Sequence, residues 1–162
     1  LGDVFAGRDG GVCFVMGDLW PGSILVQEEA RTLSWIDWEF AHWGYPGQDV
    51  GHWLAHLWLC GDKIENGARG DEFKRASRVF LEGYTRGLAH DDVVFLSEGE
   101  YARQGVIHYG VEILARALGP FQTDPAHWSV RKKERALSLV VSIIRDARLC
   151  KSRESSYYCL LK

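Results

Sequence analysis

Carboxylates and one hydroxyl stand beside short apolar runs in the first third of the chain. Asp18 follows one apolar run, Ser23 lies five positions later, and Asp37 follows the next pair of runs. Phosphoryl transfer from a nucleotide requires a carboxylate that takes the proton of the acceptor hydroxyl. It also requires oxygen ligands that hold Mg²⁺ against the phosphates. These residue types predict that this segment is suited to phosphoryl transfer.

Short strands must position these residues. Apolar runs at 12–16, 23–27 and 32–36 are rich in β-branched and aromatic residues, which favours strands. The second and third are separated by a short polar turn and are expected to form a hairpin. Residues 37–48 contain two glycines and a proline and are expected to form a loop.

From Asp49 onward the apolar period becomes helical and predicts four helices. Asp49 is expected to be the N-cap of the first helix and Gly61 its C′ residue. The apolar stripes of the four helices are Val50, Trp53, Leu54, Leu57 and Trp58; Phe73, Ala76, Phe80, Tyr84 and Leu88; Ile107, Val111, Leu114 and Leu118; and Leu137, Val140, Val141, Ile144 and Arg148. Strands followed by helices predict an α+β fold, mostly α, in which a small β-hairpin carries the loops and a helical bundle follows.

Composition limits the function classes. The chain has 162 residues, a net charge of −3 and 46% hydrophobic residues, which is typical of one globular domain and gives no basic surface for nucleic acid. No apolar run is long enough to cross a bilayer, so no membrane partner is expected. Four scattered cysteines without a C-x-x-C pair are expected to be reduced thiols, and a cytoplasmic location is the default expectation.

The segment 17–49 resembles one known family. Asp18 lies five positions before Ser23 and is followed by an Asp on a later loop, a spacing that protein kinases also use. The sequences Gly-Asp-Leu-Trp-Pro-Gly-Ser-Ile-Leu-Val at 17–26, Ile-Asp-Trp-Glu-Phe-Ala at 36–41 and the stretch 44–49 are similar to the aminoglycoside phosphotransferase family. That family has a two-lobed protein-kinase-like fold, and the resemblance implies that residues 1–150 form its C-terminal lobe, with 151–162 a tail.

The resemblance implies a role for each motif residue. Asp18 would be the catalytic base, Ser23 a metal ligand, Asp37 the main Mg²⁺ ligand and Asp49 a buried brace of the catalytic loop. The family usually has His and Asn where this chain has Met16 and Ser23. Ser at 23 combined with Asp37-x-Glu39 is similar to the methylthioribose kinase branch, where Glu39 would add a carboxylate to the metal site.

The resemblance also implies ATP and Mg²⁺ as cofactors and a hydroxyl of a small metabolite as the acceptor. Only 17 residues precede Asp18 and no lysine precedes Lys63, so the family's ATP-holding N-lobe is expected to be missing from this chain. The isolated 162 residues are therefore expected to be inactive. A non-catalytic kinase-like remnant or binding module remains the alternative.

Other polar and aromatic groups have simpler interpretations. His52 and His56 lie one helical turn apart, but the metalloprotease pattern requires Glu at 53, where Trp stands, so zinc ligation is not expected. Most tryptophans are expected in the core, whereas Trp20 and Trp43, beside the motif, are candidates for a substrate pocket. The acidic cluster at 91–100 and the basic run at 131–133 are expected to be solvated surface.

Overall fold

The computed structural model describes residues 12–62, 68–90, 98–120 and 129–149. They contain four short strands: β1 (Cys13–Val15), β2 (Ile24–Gln27), β3 (Thr32–Trp35) and β4 (His42–Gly44). Four helices follow: α1 (Pro46–Asp62), α2 (Ala68–His90), α3 (Glu98–Leu118) and α4 (Val130–Leu149). The α+β prediction, mostly α, is confirmed for this part of the chain. The acidic cluster at 91–100 lies largely outside it, as does the tail at 151–162.

Strands β2 and β3 form the predicted hairpin. They pair antiparallel, with Ile24 opposite Trp35 and Gln27 opposite Thr32. One further bond extends the ladder, because the Ile36 backbone N–H donates to the Ser23 carbonyl at 3.0 Å. The register therefore brings position 23 directly beside position 36, and so next to Asp37.

Strand β4 lies where the sequence predicted a loop. It pairs antiparallel with β1, with Cys13 opposite Gly44 and Val15 opposite His42. The loop prediction for residues 37–48 was wrong here, because three residues are too few to show alternation and their partner lies far away in the sequence. This two-stranded sheet holds both ends of the motif segment together.

Helix α1 begins earlier than the sequence predicted. It starts at Pro46, a residue type favoured in the first turn, and Asp49 lies within that turn. Asp49 is therefore not the N-cap, and Gly61 lies inside the helix instead of beyond it. Both boundary predictions were wrong, because local turn chemistry at Pro46-Gly47 allows the helix to begin before the apolar stripe.

The core lies between α1, α3 and α4, with one side chain from α2. Helices α1 and α3 cross closely at Gly51, where a Cβ atom would clash with the backbone nitrogen of Tyr109. The core residues are Val50, Leu54, Ala55, Leu81, Val106, Tyr109, Ile113, Ala117, Ala136, Val140 and Ile143. The predicted stripe of α1 is confirmed in the sense that its members are buried or half-buried.

The stripes predicted for α3 and α4 were largely wrong. In α3, Ile107, Val111 and Leu118 are exposed, and the buried face is the one that carries Val106 and Ile113. The buried face of α3 also contains Gly105, Gly110 and Ala117, small residues that allow neighbouring helices to approach closely. In α4, similarly, Leu137, Val141 and Ile144 are exposed.

The aromatic residues of the hairpin region are not in the core. Trp35, Trp38 and Trp43 are exposed, so the expectation of a core position was wrong for Trp35 and Trp38, whereas Trp43 was expected beside a substrate pocket. Most hairpin side chains are exposed, whereas Trp53 and Trp58 on α1 pack against the helical core. None of the helices in the described ranges combines the length and apolarity needed to cross a bilayer.

Candidate functional site

The loop between β1 and the first 3₁₀ turn is held by the start of α1. The Asp49 carboxylate accepts hydrogen bonds from the backbone N–H groups of Met16 (2.7 Å) and Gly17 (2.9 Å). The side-chain amide of Gln48 donates to the Gly17 carbonyl at 3.0 Å. Burial raises the pKa of Asp49, and the two backbone hydrogen bonds oppose that rise. Helix α1 therefore fixes the backbone immediately before Asp18.

Gly17 brings the two motif loops together. Its φ is +84°, in the region that favours glycine, and a Cβ at this position would clash with the Phe40 carbonyl oxygen. Phe40 ends the 3₁₀ turn Trp38–Phe40 that follows Asp37. The segment that carries Asp18 thus lies directly against the segment that carries Asp37 and Glu39.

The Asp18 side chain faces two basic side chains from the helices. Its Oδ1 lies 3.6 Å from Nδ1 of His52 on α1 and 3.8 Å from Nη2 of Arg116 on α3. Both distances exceed a hydrogen bond, so the contact to Arg116 is an ion pair and the contact to His52 becomes one when the imidazole is protonated. The neighbouring His52 imidazole, together with Arg116, lowers the pKa of Asp18 against the effect of burial and of the Glu112 charge. A half-buried carboxylate in this setting is ionised and can accept a proton.

Glu112 lies beneath this pair, with its side chain only 9% exposed. Its Oε1 accepts a hydrogen bond from Nε of Arg116 at 2.6 Å, and its oxygens lie 3.2 Å from His56 Nε2 and 3.8 Å from His52 Nε2. Burial alone would raise the pKa of Glu112, but the His56 and Arg116 side chains lower it to about 2. Glu112 is therefore an anion on which three basic side chains converge.

Ser23 is fully buried, at 0% exposure. Its hydroxyl donates to the Trp20 carbonyl at 2.7 Å and accepts from the Trp20 N–H at 3.3 Å, so it closes the 3₁₀ turn Pro21–Ser23. Its Oγ also lies 3.9 Å from the Met16 sulfur. The two positions at which this chain departs from the family pattern are therefore in contact with each other.

Asp37 and Glu39 lie on the exposed side of the site. Asp37 has φ 63° and ψ 53°, a left-handed conformation that is uncommon for a residue other than glycine and that clusters at functional sites. Among the described residues, no hydrogen bond or ion pair engages either carboxylate. The hairpin register places Asp37 next to Ser23.

The donor chemistry of this exposed side fits Mg²⁺. Magnesium takes oxygen ligands, keeps several waters and uses one or two carboxylates together with substrate phosphates. Asp37 and Glu39 present free carboxylates, whereas the Ser23 hydroxyl is already engaged with Trp20. In the described ranges, no group of three or more His, Cys, Asp or Glu side chains forms a ready metal cluster. The two exposed carboxylates therefore have the ligand chemistry that a magnesium ion completed by phosphates would require.

The two tryptophans suggested for a pocket lie in different surroundings. The Trp20 ring packs against His56 at 5.6 Å and covers Gly22, beside the basic cluster. Trp43 is 65% exposed and lies edge-on to Phe14 at 6.3 Å on the face of the β1–β4 sheet. No ring contact joins the two in the described part of the chain, and a pocket role for either stays a prediction.

Sequence reasoning missed the charged side chains that surround Asp18. His52 was judged only as a zinc ligand, and Glu112 and Arg116 were not selected at all. One signal was available: Glu112 and Arg116 are spaced i, i+4, which favours a pair on one helix face. Because the sequence prediction assigned the wrong face of α3 to the core, it did not show that this pair lies toward the buried face.

Two comparisons with known proteins bear on this site. The model of the phosphotransferase enzyme family matches residues 4–89, a range that contains Asp18, Ser23, Asp37, Glu39 and Asp49. The chain is also 30% identical over 79 residues to 4-hydroxytryptamine kinase of Psilocybe cyanescens. That match covers 46% of this chain and 21% of the relative, so the chain corresponds to about a fifth of that protein. Because the family model covers more than half of its residues, the chain belongs to the phosphotransferase enzyme family.

Proposed function

We propose that this chain forms the acceptor-activating part of an ATP-dependent small-molecule kinase that phosphorylates a hydroxyl group. The observation that carries the proposal is the Asp18 carboxylate, which is 32% exposed and faces two basic side chains at the end of a braced loop. Such a carboxylate is suited to orient a hydroxyl and take its proton. The family match supports phosphoryl transfer as the reaction.

The proposed step balances in a simple way. The acceptor oxygen forms a bond to the γ-phosphorus of ATP, and the bond between that phosphorus and the bridging oxygen breaks. ADP leaves with the electron pair, and the hydroxyl proton goes to the Asp18 carboxylate. Most of the rate enhancement in this chemistry comes from positioning and charge neutralisation, so the fixed backbone at Met16 and Gly17 is central to the proposal.

Asp37, with Glu39, would hold Mg²⁺. When bound, the ion neutralises charge on the phosphates and keeps them close to the acceptor. Ser23 is proposed as a further oxygen ligand through the remaining lone pair of its Oγ, which must first become accessible because the side chain is buried. Asp49 is proposed to act as a structural brace, since both its oxygens accept backbone hydrogen bonds.

The acceptor is proposed to be a small hydroxyl-bearing metabolite. The name of the curated relative describes a kinase whose acceptor carries a hydroxyl on an aromatic amine. Trp20 lies beside the basic cluster and provides one exposed aromatic face near Asp18. These observations favour a panel of hydroxylated aromatic and aliphatic amines as the first acceptors to test.

One observation favours a second candidate function, a kinase-like module without catalysis. The Ser23 hydroxyl is buried and engaged within its own turn. If it stays there, the metal site has one oxygen fewer than the family pattern provides. In that case the chain would keep the fold and the loops without supporting turnover.

The decisive experiment uses the full-length protein, including any sequence that flanks residues 1–162. Transfer of label from γ-labelled ATP to the acceptor panel is measured for the wild type and for Asp18→Asn. The proposal predicts a labelled acceptor, and a fall in kcat of about 10²- to 10⁴-fold in the variant, as is typical for removal of a general base. Near-normal turnover by Asp18→Asn would remove Asp18 from this role, and no transfer to any acceptor would favour the non-catalytic module.

A further inference from the structure

We propose that Glu112 is a positioning residue for Asp18, because its carboxylate holds His52 and Arg116 in places where both face one oxygen of Asp18. The inference rests on the proposed role of Asp18 as the base. It adds a function for a buried carboxylate on α3 that touches neither the acceptor nor Asp18 itself.

The first observation is that both basic side chains approach the same oxygen. His52 Nδ1 lies 3.6 Å and Arg116 Nη2 3.8 Å from Oδ1 of Asp18. Neither of these two contacts is made to Oδ2. The arrangement therefore assigns Oδ1 to the protein and leaves Oδ2 for the acceptor hydroxyl.

The second observation is that the same two side chains are bound by Glu112. Arg116 donates through Nε to Oε1, and His52 approaches Oε2 with its other ring nitrogen at 3.8 Å. The four side chains form a closed ring of alternating acidic and basic groups, with Asp18 at its exposed end. Because Glu112 is almost entirely buried, its charge requires these partners, and it cannot move away without leaving them unpaired.

The third observation is that the imidazole atom facing Asp18 is buried and unsatisfied. His52 Nδ1 has no hydrogen-bond partner in the described structure, although Asp18 lies 3.6 Å away. Buried polar atoms without a partner are rare and require an explanation. Hydrogen bonds in catalytic sites are often long before substrate binds and tighten in the loaded state, which accounts for this gap.

Two possible roles of Glu112 predict opposite changes in the pKa of Asp18 when Glu112 is neutralised. The negative charge of Glu112 acts to raise the pKa of Asp18, whereas His52 and Arg116 lower it. If Glu112 acts only through its charge, its neutralisation lowers the pKa of Asp18 further. If Glu112 positions the two basic groups, its neutralisation releases them from Oδ1, and the pKa of Asp18 rises.

Other titratable groups also face this cluster. From α1, His56 approaches Glu112, and Asp49 lies close enough to His52 to feel its charge. From α3, His108 packs edge-on to His52, and burial together with the His52 charge lowers the pKa of His108. None of these three is in contact with Asp18 in the described structure, so their effect on Asp18 is indirect.

The test is a pH titration of the Asp18 carboxyl carbon by NMR in the full-length protein labelled at aspartate, without nucleotide. The variants are Glu112→Gln and His52→Leu, and Glu134→Gln on the exposed face of α4 is the matched control. We expect the pKa of Asp18 to rise in both test variants and to stay constant in the control. A fall or no change in Glu112→Gln would overturn the proposal.

Turnover gives a second readout. We expect Glu112→Gln to lower kcat on the order of 10- to 100-fold at every pH while KM for ATP stays the same, because a small misplacement of the base is enough to cause such a loss. If Glu112→Gln does not fold, His52→Asn, which keeps a donor facing Asp18, should retain more activity than His52→Leu. Equal activity of these two would contradict the proposal. Unchanged turnover in Asp18→Asn would instead overturn the proposed function.

Discussion

The two sides of the candidate site are built in opposite ways. On the proposed base side, Asp18 faces His52 and Arg116, which the buried Glu112 also contacts. On the proposed metal side, the carboxylates of Asp37 and Glu39 are exposed and have no partner among the described residues. The base side rests on two packed helices, and the metal side on a hairpin.

The difference follows from the cost of burying charge. A buried carboxylate is stable only when the protein supplies its partners, so Glu112 requires preformed basic neighbours. An exposed carboxylate is solvated by water and can exchange that water for a cation when phosphates arrive. We infer that the base side is complete before the nucleotide binds, whereas the metal side is completed by its ligands.

The largest stability difference is expected between Asp49 and Asp37. Asp49→Ala strands two buried backbone N–H groups, each of which costs about 1–3 kcal/mol, so the free energy of unfolding should fall by about 2–6 kcal/mol. Asp37→Ala, at an exposed position, should change it by about 0.5 kcal/mol or less. Chemical denaturation of the two variants measures both values. A loss of only about 1 kcal/mol at Asp49 would indicate an ordinary helix-end effect instead of a brace.

The next effect is the pH dependence that Glu112 gives to stability. Its pKa is lowered from 4.5 to about 2 in the folded protein, so its contribution is present above pH 4.5 and is lost as the pH falls toward 2. A shift of this size corresponds to about 3 kcal/mol. The free energy of unfolding should therefore fall less steeply with decreasing pH for Glu112→Gln than for the wild type between pH 4.5 and 2. Parallel curves would show that Glu112 is not held as an anion.

The smallest effect is expected on magnesium. Asp37→Ala should raise the Mg²⁺ concentration that gives half-maximal turnover about tenfold or more, since it removes a ligand while leaving the fold intact. Glu28→Ala, in the exposed turn between β2 and β3, is the matched control and should behave as the wild type. The turnover rate of each variant is measured in the full-length protein as a function of Mg²⁺ concentration. An unchanged magnesium requirement in Asp37→Ala would exclude Asp37 as the main ligand.

The sequence predicted the local parts of this site better than its long-range parts. The β2–β3 hairpin was predicted from two short apolar runs and the polar turn between them, which are local signals, and the observed pairing confirms it. The strand β4 was missed because three residues carry no period, and the α3 face was mistaken because two faces of that helix are apolar. The face of α3 that is buried is the one that approaches Gly51 of α1, a contact between distant segments that the sequence pattern does not encode.

The cluster around Asp18 shows the same limit. Glu112 and Arg116 are spaced i, i+4 on α3, but no local pattern joins them to His52, which lies on α1 more than 30 residues earlier. The motif residues were selected because their types and spacing within one segment suggested phosphoryl transfer. Their supporting charges became visible only once the crossing of α1 and α3 placed them together.

An NMR titration asks most directly whether the two sides of the site differ in this way. The carboxyl resonances of Asp and Glu are followed in the full-length protein as Mg²⁺ and a non-hydrolysable ATP analogue are added. We expect the signals of Asp37 and Glu39 to shift as the nucleotide site becomes saturated, whereas the signal of Glu112 should stay in place. Saturable nucleotide binding that leaves Asp37 and Glu39 unchanged, or that moves Glu112 instead, would contradict a preformed base side and a ligand-completed metal side.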